Sequence, residues 1–414
     1  MKRKWMLGVG IGIGVIGAVW IALMIWLPSD EQFAAMLKVE AEKRLEVKVT
    51  IGSAHWSLLP WPMVTVTDLR TEQSQPVVIG RLIAQPEVRA LLRRKFVLDH
   101  LQIDDAVLPR ESLRAFRQAP GAAAPDASAG TPLKRLEFRN VIWIPYSGIA
   151  VAYDGEIDFD PEWRPRVAGL RRPNTDPPFT LALKREGEED RWRAEIRVGG
   201  GTADGQLELK SGPDGALTLS GNLEPRDIDV ASALNSFERR SPIGGKASGK
   251  TVLSAHGQSV HELAVTLHTR SVLKVGSARI LRFDLDKAIS TLGKEHAGQT
   301  PLQELTSQID TQNTDQGMRV VYSHILARHD KYTARGEATI YHRHVEASGT
   351  LDLVDGAIGV PFTISGPTVK PKVSVPPGFF AGAVAGTAIL PVVGTVIGAR
   401  VGTFLGKLVK GGKP

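Results

Sequence analysis

The sequence predicts a mostly β protein: a long antiparallel sheet set between an N-terminal transmembrane helix and a C-terminal glycine-rich helical hairpin. Three observations predict it. Residues Trp5 to Leu27 carry no charge. From Leu133 to Val375 apolar residues recur at every second position with polar ones between them, the pattern of antiparallel strands with one wet face. Near the C-terminus glycines fall on a four-residue register.

The chain opens with the short basic segment Met1-Lys2-Arg3-Lys4, residues 1–4, read as a cytoplasmic tail. At about 1.5 Å per residue, the uncharged stretch 5–27 reaches roughly 35 Å, more than the ~30 Å hydrocarbon core of a bilayer. Its indoles are Trp5, Trp20 and Trp26, and those at the two ends suit the membrane interface. Basic residues before the span and Asp30 and Glu31 after it place the N-terminus in the cytoplasm and the bulk of the chain outside. A cleaved signal peptide is the competing reading. Its apolar region would be shorter and end at a small-residue site, which Pro28-Ser29-Asp30 does not supply. Gly12-Ile13-Gly14-Val15-Ile16-Gly17 matches the dinucleotide-binding pattern, but that pattern needs a preceding strand and a helix opening on phosphate. Within a membrane span, Gly8 and Gly12, or Gly10 and Gly14, offer a close-packing face for a dimer.

Residues 28–46 read as an amphipathic helix capped by Ser29 or Asp30, with Phe33, Leu37, Ala41 and Leu45 every four residues. Over 47–117 the period falls to two, in Val47, Val49 and Ile51 and again in Val64 and Val66, with a turn or two of helix inside Glu87 to Lys95 before Leu98, Leu101 and Ile103. Residues 118–132, rich in Ala, Gly, Pro and Ser, form a flexible linker. The main sheet is expected over 133–376. Its apolar positions include Leu181, Leu183, Ile196, Val198, Leu207, Leu209, Leu217, Leu219, Leu263, Val265, Leu267, Val320, Leu351 and Leu353. Helix is expected there only over Asp284 to Gly293 and Pro301 to Leu305. In the tail, 377–414, Gly382, Gly386, Gly394, Gly398, Gly402 and Gly406 share one helical face, and Pro391 divides the segment. This tail is expected to associate with membrane.

The net charge of +7 is uneven. Lys2, Arg3 and Lys4 supply three of it, and six basic residues after Asp355 meet no acid, so the middle is slightly acidic. Basic ends beside apolar segments suit anionic lipid headgroups and exclude nucleic acid as the expected partner. No cysteine is present, so disulfides, thiolate metal sites and thiol nucleophiles are excluded. His342 and His344 would share one strand face, with His324 and His329 nearby in sequence, but no third ligand at metal spacing is evident. Asp104-Asp105 and Asp284-x-Asp286 are paired carboxylates with nothing to fix an acid and a base. No cofactor is expected, and the reading is not an enzyme.

The order of parts resembles the AsmA-like family of membrane-anchored envelope proteins. Three places carry the resemblance: the helix running into Val49-Thr50-Ile51-Gly52 and Trp56-Ser57-Leu58-Leu59-Pro60-Trp61-Pro62; Thr300-Pro301-Leu302-Gln303-Glu304-Leu305; and Gly359-Val360-Pro361-Phe362-Thr363-Ile364-Ser365-Gly366-Pro367 with Pro371-Lys372-Val373. The resemblance implies a long, curved sheet with a hydrophobic groove, lined by the alternating apolar positions named above, and similar to bridge-like lipid transfer proteins. It implies an inner-membrane protein whose bulk lies in the periplasm, phospholipid acyl chains as ligand, another envelope protein as a possible partner, and a role in outer-membrane biogenesis. At about 4.8 Å per strand, roughly 20 strands would give a sheet on the order of 95 Å, shorter than the large members of that family. Alternation alone equally fits a closed β-sandwich, and with it an assembly factor for outer-membrane proteins that holds no lipid.

Overall fold

The computed structural model describes residues 29–374, except for 58–60, 93–96, 114–132, 146, 162–163, 214, 259, 285, 288–294, 296, 315–316, 354–358 and 369–370. The expected anchor with Trp5, Trp20 and Trp26, the linker at 118–132 and the glycine-register tail lie outside the described residues. Among the described residues, no helix is long and apolar enough to cross a membrane. The chain divides into two compact units, residues 1–143 with 159–164, and 144–158 with 165–414.

The first unit opens with α1 (Asp30–Leu45). Ser29 Oγ accepts from Gln32 N at 3.3 Å while the Gln32 side chain accepts from Ser29 N at 3.2 Å, a reciprocal box that satisfies two orphan donors of the first turn. Phe33, Leu37, Ala41 and Leu45 are half-buried on the side that meets β1 (Val49–Thr50) and β2 (Ser53–Ser57), as their spacing predicts. Both strands pair with β3 (Met63–Thr71), which continues to β4 (Val78–Pro86); α2 (Val88–Leu92) then leads into β5 (Leu98–Pro109) and β6 (Leu133–Ile144). Cross-strand partners share a face. Ala54, Val66, Leu82 and Ile103 therefore make one row, and Ser53, Thr67, Arg81 and Asp104 make a row on the opposite face.

The second unit contains most of β7 (Val151–Phe159), then β8 (Pro165–Arg171), β9 (Thr180–Arg185), β10 (Arg191–Val198), β11 (Gly201–Ser211), β12 (Leu217–Arg226), β13 (Ile228–Asp229), α3 (Val230–Asn235), β14 (Ile243–Gly257), α4 (Val260–Thr266) and β15 (His268–Ile280). It continues through β16 (Thr300–Pro301), β17 (Glu304–Thr314), β18 (Gly317–Arg328), β19 (Tyr332–Tyr341), β20 (His344–Leu353), β21 (Gly359–Pro367) and β22 (Lys372–Ser374). From β8 to β22 these strands pair antiparallel in chain order, with short β13 and β16 set aside against β14 and β15. The sheet is long, largely antiparallel and not closed.

Local chemistry fixes the turns. Gly199 and Gly200 both take positive φ, 56° and 73°, in the two-residue connection of β10 to β11, a geometry that suits the twist of paired strands. A Cβ on Gly199 would also sit 2.5 Å from the Asp229 carbonyl oxygen, because the start of α3 lies against this turn. Asp229 caps α3 by accepting from Ser232 N at 2.8 Å. Burial works against its charge, but hydrogen bonds from Ser232 and Gly245 and the nearby Arg279 outweigh it and hold the carboxyl below its usual pKa.

The helix expected over Pro301–Leu305 is not formed. Pro301 ends β16 and Glu304 begins β17, while Leu302 N donates to Ala278 O at 2.8 Å and its side chain is buried. Main-chain partners on β15 and an apolar pocket for Leu302 override the local helical pattern. Most of the other expected helix, Asp284 to Gly293, lies outside the described residues.

Asp229→Ala removes the cap and is expected to destabilise the second unit by about 1 kcal/mol at neutral pH. Because the folded carboxyl titrates below its unfolded value, that stability is present above about pH 4 and is lost as the pH falls. Denaturant unfolding of wild type and variant should therefore differ at pH 7 and converge in acid.

Candidate functional site

The register of β8 to β22 sorts every side chain of the ladder onto one of two faces. One row runs without interruption through Ala168, Leu183, Ala194, Gly205, Leu223, Thr251, Ser271, Ile309, Tyr322, Ala338, Ala347, Ile364 and the position of Val373. A parallel row runs through Ala247, Val275, Leu305, Ala327, Ala334, Leu351 and Val360. The row on the opposite face reads Lys184, Arg193, Gln206, Asn222, Val252, Arg270, Asp310, Val321, Thr339, Glu346, Ser365 and Lys372. One face is thus largely apolar across thirteen strands, with Thr251 and Ser271 as its polar members in this row, and the other is wet.

Ion pairs knit the wet face. Glu208 meets Lys210 at 3.2 Å and Arg191 at 3.4 Å, and Lys210 foremost holds its carboxyl below the usual range. Glu304 lies 3.0 Å from Lys274 and 3.2 Å from Arg328, with the same effect. Asp310 is 2.6 Å from His268 Nε2. On the apolar face, by contrast, no charged side chain among the described residues occupies the paired positions from β11 to β21. Burial there pushes the Tyr322 phenol upward.

Among the described residues, the apolar face is only partly covered. Leu181, Leu183, Ile196, Val198, Leu207, Leu209, Leu217, Leu219, Val320 and Leu351 all lie on it and are half-buried, and so are Leu223, Ile309, Tyr322, Ala338, Ala347 and Ile364. Full burial is local. Ala247, Val275, Ala278, Leu302 and Ala327 form one buried cluster, with Val230 of α3 packed against it. Among the described residues, the second unit has no second sheet to close over this face.

Three expected strand residues are placed differently. Leu263 and Val265 belong to α4 and Leu267 follows it, so the three are not consecutive inward positions of a strand. Val260, Leu263, Ala264 and Leu267 also fit the helical spacing i, i+3, i+4, i+7, and that period prevails. Leu263 is buried, and Asn313 Nδ2 donates to Ala264 O at 2.9 Å. The backbone of Leu353 pairs with that of Tyr332. The lining expected from the sequence did not include Ala338, Ala347, Thr251 and Ser271, although Ala334, Gly336, Ala338 and Ile340 do alternate; small and hydroxylated residues carry little hydropathy signal.

The remaining candidates are dispersed. His342 sits with Arg343 in the turn between β19 and β20, at φ 48° and 63°, rather than on a strand face with His344. His329 stacks on Tyr332 at 4.3 Å, and His324 is an exposed bulge residue of β18. Among the described residues no three His, Asp or Glu side chains gather around a metal position. Asp105 accepts from Asn140 at 2.7 Å, Asp104 from Gln102 at 2.9 Å, and Asp286 pairs with Lys331 at 2.8 Å. These are structural contacts.

No protein-family model, curated protein or solved structure matches the chain.

Glycines keep parts of the apolar face low. A Cβ on Gly349 would come 2.8 Å from Phe362 Cζ and press on the Arg335 carbonyl. Gly349→Val is expected to cost about 1–3 kcal/mol by overpacking, whereas Ser348→Val, exposed on the wet face, should stay within about 0.5 kcal/mol. Equilibrium unfolding of the two variants measures the difference.

Proposed function

We propose that this protein handles phospholipid, carrying acyl chains along the apolar face of its sheet as a hydrophobic groove, without breaking a bond. The observation that supports the reading is a largely apolar face, much of it half-buried, that register continues across thirteen paired strands. A lipid with two chains of about 16 carbons loses on the order of 25 kcal/mol on entering water, at roughly 0.8 kcal/mol per CH₂. A continuous apolar surface removes most of that barrier, and the charged headgroup stays at the wet rim. Movement along such a surface is diffusion between equivalent sites.

The uncharged stretch Trp5–Leu27 gives this sheet an inner-membrane anchor in the proposal, with the sheet in the periplasm and a contribution to outer-membrane biogenesis, as in the AsmA-like proteins it resembles. Thirteen strands at about 4.8 Å spacing cover roughly 60 Å. That span favours work at one membrane, or alongside another envelope protein, over an unaided bridge.

Photoreactive residues placed singly in the full chain at Leu183, Val198, Leu209 and Ala338 test the proposal in intact cells. Covalent phospholipid is expected at these four and not at Arg197 or Lys210 on the wet face. Absence of lipid at all four would leave the sheet as an assembly scaffold and overturn the lipid reading.

A further inference from the structure

The apolar face changes character over three strands. On β14, β15 and β17 its paired positions carry Thr251, Ser271, Thr269 and Thr311, set among Leu253, Leu273 and Ile309. Thr251 Oγ1 and Ser271 Oγ are 2.8 Å apart, so one hydroxyl proton is shared between them and the other remains to be donated. On either side the same rows are apolar: Leu183, Ala194 and Leu223 towards β9, and Tyr322, Ala338, Ala347 and Ile364 towards β21.

Two helices frame this belt on the same face. At one end of β14, Val230 of α3 packs on the cluster of Ala247 and Val275. At the other, α4 lies against β12, β14 and β17; its Ala264 carbonyl accepts from Asn313, and its Thr266 hydroxyl donates to His256 O at 2.7 Å. The uncovered width of the face is therefore restricted to the positions around Thr251, Ser271 and their neighbours.

Resting on the lipid reading above, we infer that this hydroxyl belt is a resting site for the ester region of a diacyl glycerophospholipid. Ester carbonyls only accept hydrogen bonds, and the belt supplies neutral donors. Its lack of charged side chains on the paired positions makes it unsuited to the phosphate, which stays at the rim. The flanking apolar segments, β8–β12 and β18–β22, each span about 19 Å at 4.8 Å per strand, long enough for the ~15 Å acyl half of a bilayer core. A lipid with its esters at the belt has its chains on one flank, and passage across the belt exchanges one flank for the other.

The test uses the full-length protein with vesicles of phosphatidylcholine bearing a diazirine at the acyl terminus, against the diether counterpart of equal chain and headgroup. Peptide mapping after irradiation is expected to find label on β8–β12 or β18–β22, with the diester favoured about fivefold for each hydrogen bond made. Thr251→Val with Ser271→Ala should abolish that preference while total labelling persists, and Thr251→Ser should retain it. Equal labelling by diester and diether in the wild type, or a preference unchanged in the double variant, overturns the belt while leaving the groove. Absence of labelling by either lipid overturns both.

Discussion

The rest of the structure depends on antiparallel register acting on a period-two sequence. A strand places successive side chains on opposite faces, and direct cross-strand pairing carries that choice to the next strand. Repeated from β8 to β22, it accumulates one face made mainly of Leu, Ile, Val, Ala and Gly, with Thr and Ser on β14, β15 and β17, and another that holds most of the Arg, Lys, Glu and Asp. A single-residue slip anywhere would exchange the faces beyond it. Irregularities are tolerated where they restore parity: the bulge around His324, at φ 52°, brings Ile325 and Ala327 back to the face of Tyr322 despite their odd spacing.

An apolar face of this extent needs a cover or an occupant. The two short helices cover only parts of it. Val230 of α3 adds to the buried cluster at one end of β14, and Leu263 of α4 is buried at the other, while Leu181, Leu209, Ile309 and Ile364 between and beyond them stay half-buried. The wet face manages its own exposure through ion pairs such as Glu304 with Lys274 and Arg328. Each such pair contributes little stability. Their charges nevertheless keep that face hydrated, and this distinguishes it from the apolar one.

Most of this organisation was legible in the sequence. The mostly β class followed from alternation, α1 from the four-residue spacing of Phe33, Leu37, Ala41 and Leu45, and the shared face within each strand, as for Leu181 with Leu183 or Leu207 with Leu209, from the i, i+2 rule. What escaped was decided by partners distant in sequence. Leu263, Val265 and Leu267 satisfied both periods, and the helix prevailed where α4 meets β14 and β17. Pro301–Leu305 looked helical until β15 supplied main-chain partners. Thr251 and Ser271, 20 positions apart, are neighbours only through register, so their juxtaposition has no local signature. His342 and His344 looked like one strand face because a two-residue turn with side chains at positive φ is uncommon outside Gly, Asn and Asp.

The central claim is that the apolar face is open. The natural absence of cysteine allows single thiols to report on it without background. Leu209→Cys and Ile364→Cys on the face, Lys210→Cys on the wet face and Val275→Cys in the buried cluster would be titrated with a small maleimide in the folded, full-length protein. An open face predicts that the thiols at 209 and 364 react far faster than that at 275, and that added phospholipid vesicles slow them but not the thiol at 210. Reaction at 209 and 364 as slow as at 275, with no effect of lipid, would mean a closed core and contradict the account.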